Sequence, residues 1–298
     1  MTAPTWEPRH PSAELARHYR DEGWWTDDTL TDLVTTGLAA AAALPCRVRS
    51  RVHPFAGTVD DIADAGRRLA GALLARGVGP GDVVAFQLPN WAEAVASLYG
   101  LLELGAVLVP IVHIYGAQEV GHILRQSRAR VLITADRFGR QDYLANLEAV
   151  RPGLDDLELV IVVPAEETAS ADLGATVRWW GETLARADAL DHPARVDPDS
   201  PVVIGYTSGT TSAPKGVIHT HRTFLADVRT WAAFGALDTS PPPAVVPAGS
   251  LSTAPIAHIT GLTSVLRPLH SRSPLDLLDA WDAGTVLAAM ADDRLTAG

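Results

Sequence analysis

Residues 205–216 concentrate side chains that can bind an anion. Hydroxyl residues stand on both sides of Gly209, and Pro214, Lys215 and Gly216 close the stretch. Backbone N–H groups, hydroxyls and one ammonium can all point at anionic oxygens. These residue types, in this order, predict a loop that holds a chain of phosphates.

Short β-branched runs at 202–204 and 217–218 flank this loop and predict two strands. A Walker phosphate loop has glycine, lysine and then serine or threonine, and it opens a helix. Here Pro214 precedes Lys215 and Gly216 follows it, so the loop is not of the Walker type. Its donors would be hydroxyls and backbone N–H groups. A turn rich in serine, threonine and glycine that merely contains one lysine is the alternative that the residues alone leave open.

The composition restricts the class of protein. At 298 residues, with 47% hydrophobic and 20% charged residues, the chain is globular and forms one large or two ordinary domains. The net charge of -11 argues against a general nucleic-acid partner.

A single cysteine, Cys46, excludes a disulfide framework and fits a reducing cytoplasm. The N-terminus lacks a signal-peptide profile, and the longest apolar run, 104–112, is about half of a membrane span. We therefore expect a cytoplasmic protein without a transmembrane segment.

Helices and strands alternate from Thr58 onward. Thr58 predicts an N-cap with Asp60 and Asp61 in the first turn, and Gly77 lies where that helix would end. Alternation of this kind predicts an α/β fold with a mostly parallel sheet. The other predicted strands are 82–86, 106–109, 130–133, 157–163 and 250–253. The other predicted helices are a surface helix within 12–32, followed by 38–44, 91–104, 117–126, 141–150, 178–187, 222–234 and 279–295.

A proline-containing segment, 191–200, predicts a linker. We expect residues 1–190 to form a first α/β subdomain with an N-terminal helical extension. Residues 191–298 would then begin a second subdomain that carries the loop.

Histidines can serve as metal ligands or as catalytic groups. His219 and His221 lie two residues apart, but no partnering histidine, cysteine or carboxylate cluster is evident, so no metal site is predicted. The scattered His10, His18 and His53 are expected at the surface. His258 is the exception, because it follows the predicted strand 250–253 in a motif-like segment, 254–262.

The ordered string 206–217 resembles the phosphate-loop signature of the adenylate-forming, or AMP-binding, superfamily. That superfamily includes acyl- and aryl-CoA ligases, luciferases and adenylation domains of nonribosomal peptide synthetases. The resemblance extends from about residue 58 to residue 295, and Ser212 departs from the usual glycine. It implies layered parallel-sheet subdomains of the adenylate-forming N-terminal domain.

The resemblance also implies roles for individual residues. His258 would lie between a carboxylate substrate and the nucleotide, and it and Lys215 would be the catalytic residues. Mg²⁺ would bridge the phosphates. The β- and γ-phosphates of ATP would be bound by Thr207, Ser208, Gly209, Thr210, Thr211 and Lys215.

The implied reaction activates a carboxylic acid with ATP to an acyl-adenylate and then forms a thioester with coenzyme A. Segments 254–262 and 278–282 are most similar to ligases of fatty, alicyclic or similar acids. An aryl-acid enzyme that loads a carrier protein, and a non-catalytic nucleotide-binding fragment, are the alternatives. The expected partners are a small-molecule acid, ATP and coenzyme A.

Several superfamily motifs are not found in these 298 residues. They are the Tyr-Gly-x-Thr-Glu motif for adenine and Mg²⁺, the aspartate that binds the ribose and the adenylation lysine of the C-terminal lid domain. The resemblance therefore implies an N-terminal portion, with a fold incomplete at its C-terminus. We expect the chain alone to be inactive and to expose apolar surface in its second half.

Overall fold

A computed structural model describes residues 6–165, 177–207, 213–236, 249–292 and 295–297. Its helices are α1 (Ala13–Asp21), α2 (Leu30–Ala41), α3 (Val59–Leu74), α4 (Ala92–Leu104), α5 (Ala117–Ser127), α6 (Tyr143–Val150), α7 (Trp180–Ala185), α8 (His221–Ala236), α9 (Ile259–Ser271) and α10 (Ala283–Asp292). Its strands are β1 (Pro45–Arg49), β2 (Phe55–Thr58), β3 (Val83–Gln87), β4 (Val107–Pro110), β5 (Val131–Ala135), β6 (Arg137–Phe138), β7 (Gln141–Asp142), β8 (Leu159–Val163), β9 (Val177–Trp179), β10 (Pro201–Thr207), β11 (Lys215–Thr220), β12 (Gly249–Ser252), β13 (Leu275–Leu278) and β14 (Leu295–Ala297).

The larger sheet has seven strands in the order β11-β10-β4-β3-β5-β8-β9. All of its pairs are parallel except β10 with β11, which are antiparallel. The central strands β3, β4 and β5 are buried along their whole length, because helices cover both faces. The predicted α/β fold with a mostly parallel sheet is confirmed.

A second sheet has the order β14-β12-β13-β1-β2. Of this sheet the sequence patterns predicted only β12, and they missed β1, β2, β13 and β14 as well as helix α9. Pro45, which directly follows the predicted helix 38–44, begins a strand here. Cys46 and Val48 are buried while Arg47 is exposed, so β1 shows the two-residue alternation of a strand over too few residues to stand out.

Strands from both sides of residue 190 share both sheets. β10 pairs with β4 in the larger sheet, and β13 pairs with β1 in the second. Residues 191–200 contain no helix or strand, as predicted for a linker, and the Ala194 N–H donates to the Glu103 carbonyl at 2.7 Å. The division into 1–190 and 191–298 stays a prediction.

Local signals placed several helix ends correctly. Thr58 is the N-cap of α3 and forms a capping box with Asp61, and Gly77 adopts a φ of +76° beyond the end of that helix. Helices α3 and α4 pack through their backbones, since a Cβ added at Gly100 would lie 2.1 Å from the Gly66 carbonyl oxygen.

Three predicted elements need correction. The predicted helix 38–44 overlaps only the end of α2, which begins at Leu30 and ends at Ala41. The predicted helix 178–187 begins only at Trp180, because Arg178 and Trp179 belong to β9, and it ends at Ala185. The last helix, α10, is shorter than predicted. Helical spacing predicts a core stripe of Val286, Leu287 and Met290 on this helix, but of these only Val286 is buried.

The exposed stripe of α10 has a structural cause. Val286 and Ala289 pack with Leu251 and Leu278 of the second sheet, which leaves the opposite helix face outside this cluster. Leu287 is 66% exposed and Met290 42% exposed. In α8, by contrast, helical spacing predicts one buried face of Phe224, Val228 and Trp231. Phe224 and Val228 are indeed buried, while the Trp231 side chain lies outside the described residues. No described helix is long and apolar enough to cross a membrane.

Candidate functional site

The predicted phosphate loop connects β10 and β11, which form an antiparallel hairpin at the edge of the larger sheet. Thr207 and Lys215 are direct cross-strand partners where the hairpin opens into the loop. The prediction that two strands flank this loop is therefore confirmed. The other predicted phosphate-binding residues, Ser208, Gly209, Thr210 and Thr211, lie outside the described residues.

A cleft of about 370 Å³ lies beside the open end of this hairpin. Three parts of the chain form it: the end of β4 with the segment that follows, the hairpin, and the start of α9 with the two residues before it. Its walls include Pro110, Tyr115, Thr207, Val217, His258 and Leu262. The structure thus brings together Thr207 and His258, two of the predicted site residues that are 51 positions apart in the sequence.

His258 is the N-cap residue of α9 and is exposed to the cleft. Its Nδ1 atom accepts a hydrogen bond from the Thr260 N–H at 3.4 Å. Because Nδ1 accepts, the neutral imidazole carries its proton on Nε2 and can donate it to an anion. The free N–H groups and dipole of the helix start favour negative charge at the same place.

Asn90 holds the segment that presents His258, which we call the His258 turn (residues 254–258). Its side-chain amide donates to the Ala254 carbonyl at 2.9 Å and to the Leu278 carbonyl at 3.0 Å, and it accepts from the Ile256 N–H at 2.8 Å. Asn90 is 2% exposed and lies three residues after the end of β3, so it fixes the turn to the larger sheet.

Gly261 allows the His258 turn to fold back on the first turn of α9. A Cβ added at Gly261 would lie 1.9 Å from the Pro255 carbonyl oxygen, far inside any normal contact. Any side chain here would therefore push the Pro255 backbone away from α9.

Lys215 lines a second, smaller cavity of about 280 Å³ together with Trp6, Ser127 and Ile218. Tyr206 reaches both cavities. The described atoms therefore place Lys215 beside the cleft through its pairing with Thr207, without making it a wall of the cleft.

The cleft is free of acidic groups among the described residues that line it. Burial raises the pKa of Tyr206 to about 12 and raises that of Tyr115 as well, so both phenols stay neutral. Burial also lowers the pKa of His219, against a smaller opposing effect of Asp227. An anionic ligand would therefore meet neutral donors and no repelling carboxylate.

His221 does not join this site. It starts α8, is fully buried, and burial lowers its pKa to about 4. Within the described part of the chain, no group of three or more histidine, cysteine or acidic residues could hold a metal ion.

His53 is not the surface residue that the sequence suggested. Its ring stacks on Trp91 at 4.2 Å, Nδ1 lies 3.2 Å from a Glu93 carboxylate oxygen, and Nε2 lies 2.7 Å from the Pro164 carbonyl. Both ring nitrogens face acceptors, so only the charged imidazolium donates to both. Burial favours the neutral ring, but the contacts with Glu93 and Pro164, together with the charge of Asp136, raise the pKa of His53 overall.

This raised pKa predicts a pH-dependent contribution to stability. A group whose pKa is raised on folding stabilises the fold fully below its unfolded pKa, about 6.5 for histidine, and loses that contribution as pH rises through the folded value. We expect the free energy of unfolding of the wild type to exceed that of His53→Gln by more at pH 6 than at pH 8. Urea denaturation at both pH values measures this, and Glu93→Gln should remove most of the same difference. An equal difference at the two pH values would contradict the assignment.

Sequence reasoning missed Asn90, Gly261 and Tyr115 as parts of this site. Tyr115 follows a predicted strand, and ligands of parallel sheets bind outside the carboxyl ends of strands, so that rule could have found it. Asn90 carries no local signal, because its hydrogen-bond partners lie 164 to 188 positions away. Gly261 contacts Pro255, only six residues earlier, but the close approach becomes visible only in the folded turn.

Comparison with known proteins gives a family match and several relatives. The family profile described as AMP-binding enzyme matches residues 54–297. The chain is 28% identical over 280 residues to the medium-chain fatty-acid–CoA ligase of Escherichia coli (strain K12), covering 93% of this chain and 47% of that protein. It is 32% identical over 237 residues to the long-chain-fatty-acid–CoA ligase FadD13 of Mycobacterium tuberculosis (strain ATCC 25618 / H37Rv), covering 78% of this chain and 41% of that protein.

Solved structures show the same fold. The apo structure of Mycobacterium smegmatis MbtA matches with a TM-score of 0.77 at 24% identity, covering 97% of this chain and 51% of that one. The inhibitor-bound N-terminal domain of FACL13 from Mycobacterium tuberculosis matches with a TM-score of 0.69 at 26% identity, covering 91% and 62%. The chain spans about half the length of the curated relatives it matches.

Proposed function

Because the chain belongs to the AMP-binding enzyme family, we propose that it provides the triphosphate loop and one side of the acid pocket of a carboxylate-activating ligase. The observation that carries the proposal is the single cleft into which both Thr207, at the edge of the loop, and His258 open. A site that joins a carboxylate to a nucleotide must hold the nucleotide side, at Thr207, and the acid side, at His258, close to each other.

The acid would occupy the apolar part of the cleft. Val217, Ala257 and Leu262 supply apolar surface, which suits an alkyl or alicyclic tail. The carboxylate would point to the N-terminus of α9, where His258 Nε2 can donate to it. A fatty, alicyclic or similar acid is therefore the proposed substrate class.

ATP would bind through the loop side. The Thr207 hydroxyl and the Lys215 ammonium would hold the β- and γ-phosphates, with Ser208, Gly209, Thr210 and Thr211 as further proposed contacts. Mg²⁺ would enter with ATP and neutralise phosphate charge, with phosphate oxygens among its ligands, since the described residues contain no carboxylate cluster for it.

In the proposed reaction a carboxylate oxygen attacks the α-phosphorus of ATP. The new bond joins that oxygen to phosphorus, the bond between the α-phosphorus and its bridging oxygen breaks, and pyrophosphate leaves. Two anions must approach each other, so the chain's task is charge neutralisation and positioning. A thiol then takes the acyl group and releases AMP.

We propose coenzyme A as the thiol acceptor and a carrier protein as the alternative. Relatives named as CoA ligases support the first choice. A fatty acid–[acyl-carrier-protein] ligase of Streptomyces coeruleorubidus, 36% identical over 169 residues, supports the second. For the 298-residue chain alone we propose nucleotide binding without turnover, because the motifs for adenine, ribose and the adenylation lysine were not found in it.

Lys215 makes the nucleotide part of this proposal testable, because it is the chain's single lysine. Endoproteinase Lys-C can therefore cut only after Lys215. We expect MgATP to slow this cleavage in a saturable way, since bound triphosphate would hold the residue closed to the protease. The rate is followed by gel electrophoresis as MgATP is increased to millimolar concentration, with MgAMP expected to protect much less.

Lys215→Arg is the matched control, because it keeps the cation and should be resistant to Lys-C. Equal cleavage with and without MgATP would contradict triphosphate binding at this loop. The chemistry is tested separately by acid-dependent exchange of pyrophosphate into ATP. Exchange at a normal enzyme rate by the 298-residue chain would contradict the proposal that it lacks turnover alone.

A further inference from the structure

His122 connects helix α5 to the end of the phosphate loop. Its Nε2 atom lies 2.9 Å from the carbonyl oxygen of Pro214, the residue directly before Lys215. A carbonyl only accepts, so the imidazole must donate through Nε2–H. The contact joins residues 92 positions apart in the sequence.

The same imidazole also packs against the other strand of the hairpin. The ring of His122 meets the ring of Tyr206 edge to face, with centroids 6.5 Å apart and planes at 88°. Tyr206 is the cross-strand partner of Gly216 and lines both cavities. One side chain of α5 thus contacts both arms of the hairpin at its open end.

The position of β11 makes this contact consequential. β11 is an edge strand and, among the described strands, pairs with β10 alone. The backbone that leads into Lys215 is therefore held by sheet hydrogen bonds on one side only. The bond from His122 attaches it to α5, whose Val120, Ile123 and Leu124 are buried in the core.

We infer that His122 is a positioning residue that fixes the Pro214–Lys215 backbone and so directs the Lys215 ammonium toward a bound triphosphate. The part of this inference that concerns the triphosphate rests on the proposed function. The attachment of Pro214 to α5 through a donated hydrogen bond does not.

Two variants separate the hydrogen bond from mere ring packing. His122→Phe keeps a ring against Tyr206 but removes the donor. His122→Gln removes the ring but places an amide N–H donor at about the distance of Nε2. If the donor is what matters, glutamine rescues and phenylalanine does not.

Lys-C cleavage after Lys215 provides the measurement. Without nucleotide, we expect His122→Phe to be cut about five- to tenfold faster than the wild type, the factor that loss of one hydrogen bond gives when cleavage follows local opening. His122→Gln should stay within about twofold of the wild type on the same scale. With MgATP, half-maximal protection of His122→Phe should need a several-fold higher concentration. Thermal unfolding of each variant reports whether the whole fold is affected.

The outcomes distinguish this inference from the proposed function. The positioning role of His122 would be overturned if, without nucleotide, the wild type and both variants were cut at the same rate, or if both variants were cut equally faster than the wild type. The link to the triphosphate would be overturned if His122→Phe were cut faster but needed the same MgATP concentration for half-maximal protection. If MgATP protected none of the three proteins, the proposed function would be overturned, and the rates without nucleotide would still test the attachment of Pro214 to α5.

A measurement on the wild type covers the case in which His122→Phe does not fold. Nitrogen NMR of ¹⁵N-histidine-labelled protein, with the His122 signals identified by their loss in His122→Gln, shows which ring nitrogen carries a proton. A protonated Nε2 is expected. An unprotonated Nε2 could not donate to Pro214 and would overturn the inference.

Discussion

Asn90→Ala is expected to lower the free energy of unfolding by about 3 to 5 kcal/mol, because it removes the partner of three backbone groups, two of them in buried hydrogen bonds and one in a partly buried one. These groups are the carbonyls of Ala254 and Leu278 and the N–H of Ile256. Ala254 and Ile256 belong to the His258 turn, and Leu278 is the last residue of β13. The loss would be a large part of the total stability of an ordinary domain. Urea denaturation followed by tryptophan fluorescence measures it.

Asn146→Ala is the matched control, since the chain has only these two asparagines. The Asn146 amide makes one side-chain bond, to Gln141 at 3.2 Å, and is only partly buried. Its replacement should cost less than about 1 kcal/mol. If Asn90→Ala costs no more than Asn146→Ala, the three hydrogen bonds of Asn90 do not hold the His258 turn.

Gly261→Ala is expected to destabilise the fold by about 2 to 3 kcal/mol, despite the better helix propensity of alanine. The added methyl would meet the Pro255 carbonyl oxygen at 1.9 Å, and backbone atoms cannot move aside as a flexible side chain can. The His258 turn would shift relative to α9, which changes the cleft directly. We therefore also expect weaker binding of a nonhydrolysable acyl-adenylate analogue, measured by calorimetry.

Gly181→Ala tests whether the effect comes from the clash. Gly181 lies within α7, and an added Cβ would meet no atom within 4 Å. Alanine there should be neutral or stabilising by up to about 1 kcal/mol. A Gly261→Ala protein as stable as Gly181→Ala would show that the His258 turn adapts, and unchanged analogue binding would show that Gly261 does not shape the cleft.

Asn90 and Gly261 both contact the His258 turn. Asn90 binds the His258 turn to the larger sheet, and Gly261 lets α9 approach it closely. His122 binds the Pro214 carbonyl at the open end of the hairpin and so attaches that end to α5. The two ends of the proposed reaction site are thus each held by a residue from a distant part of the chain.

The sequence by itself determined the elements whose signals are local. The string 206–217 predicted a phosphate loop between two strands, and the spacing of apolar residues predicted the alternating helices and strands of the larger sheet. Thr58 capped its helix as expected, because an N-cap depends only on residues within one helical turn. The family resemblance rests on the same short-range order.

Only the tertiary structure decided how these elements meet. β1 and β13 are short, and they pair although more than 200 residues of sequence separate them. No local sequence pattern therefore predicted either strand. The exposure of Leu287 and the burial of His53 depend on which surfaces pack against them. Asn90 and His122 bind backbone atoms up to 188 and 92 positions away, respectively. Gly261 contacts the Pro255 backbone in the close turn after β12. Hydrogen bonds and van der Waals contacts act over a few ångströms in space, and the fold alone brings such distant residues within that range.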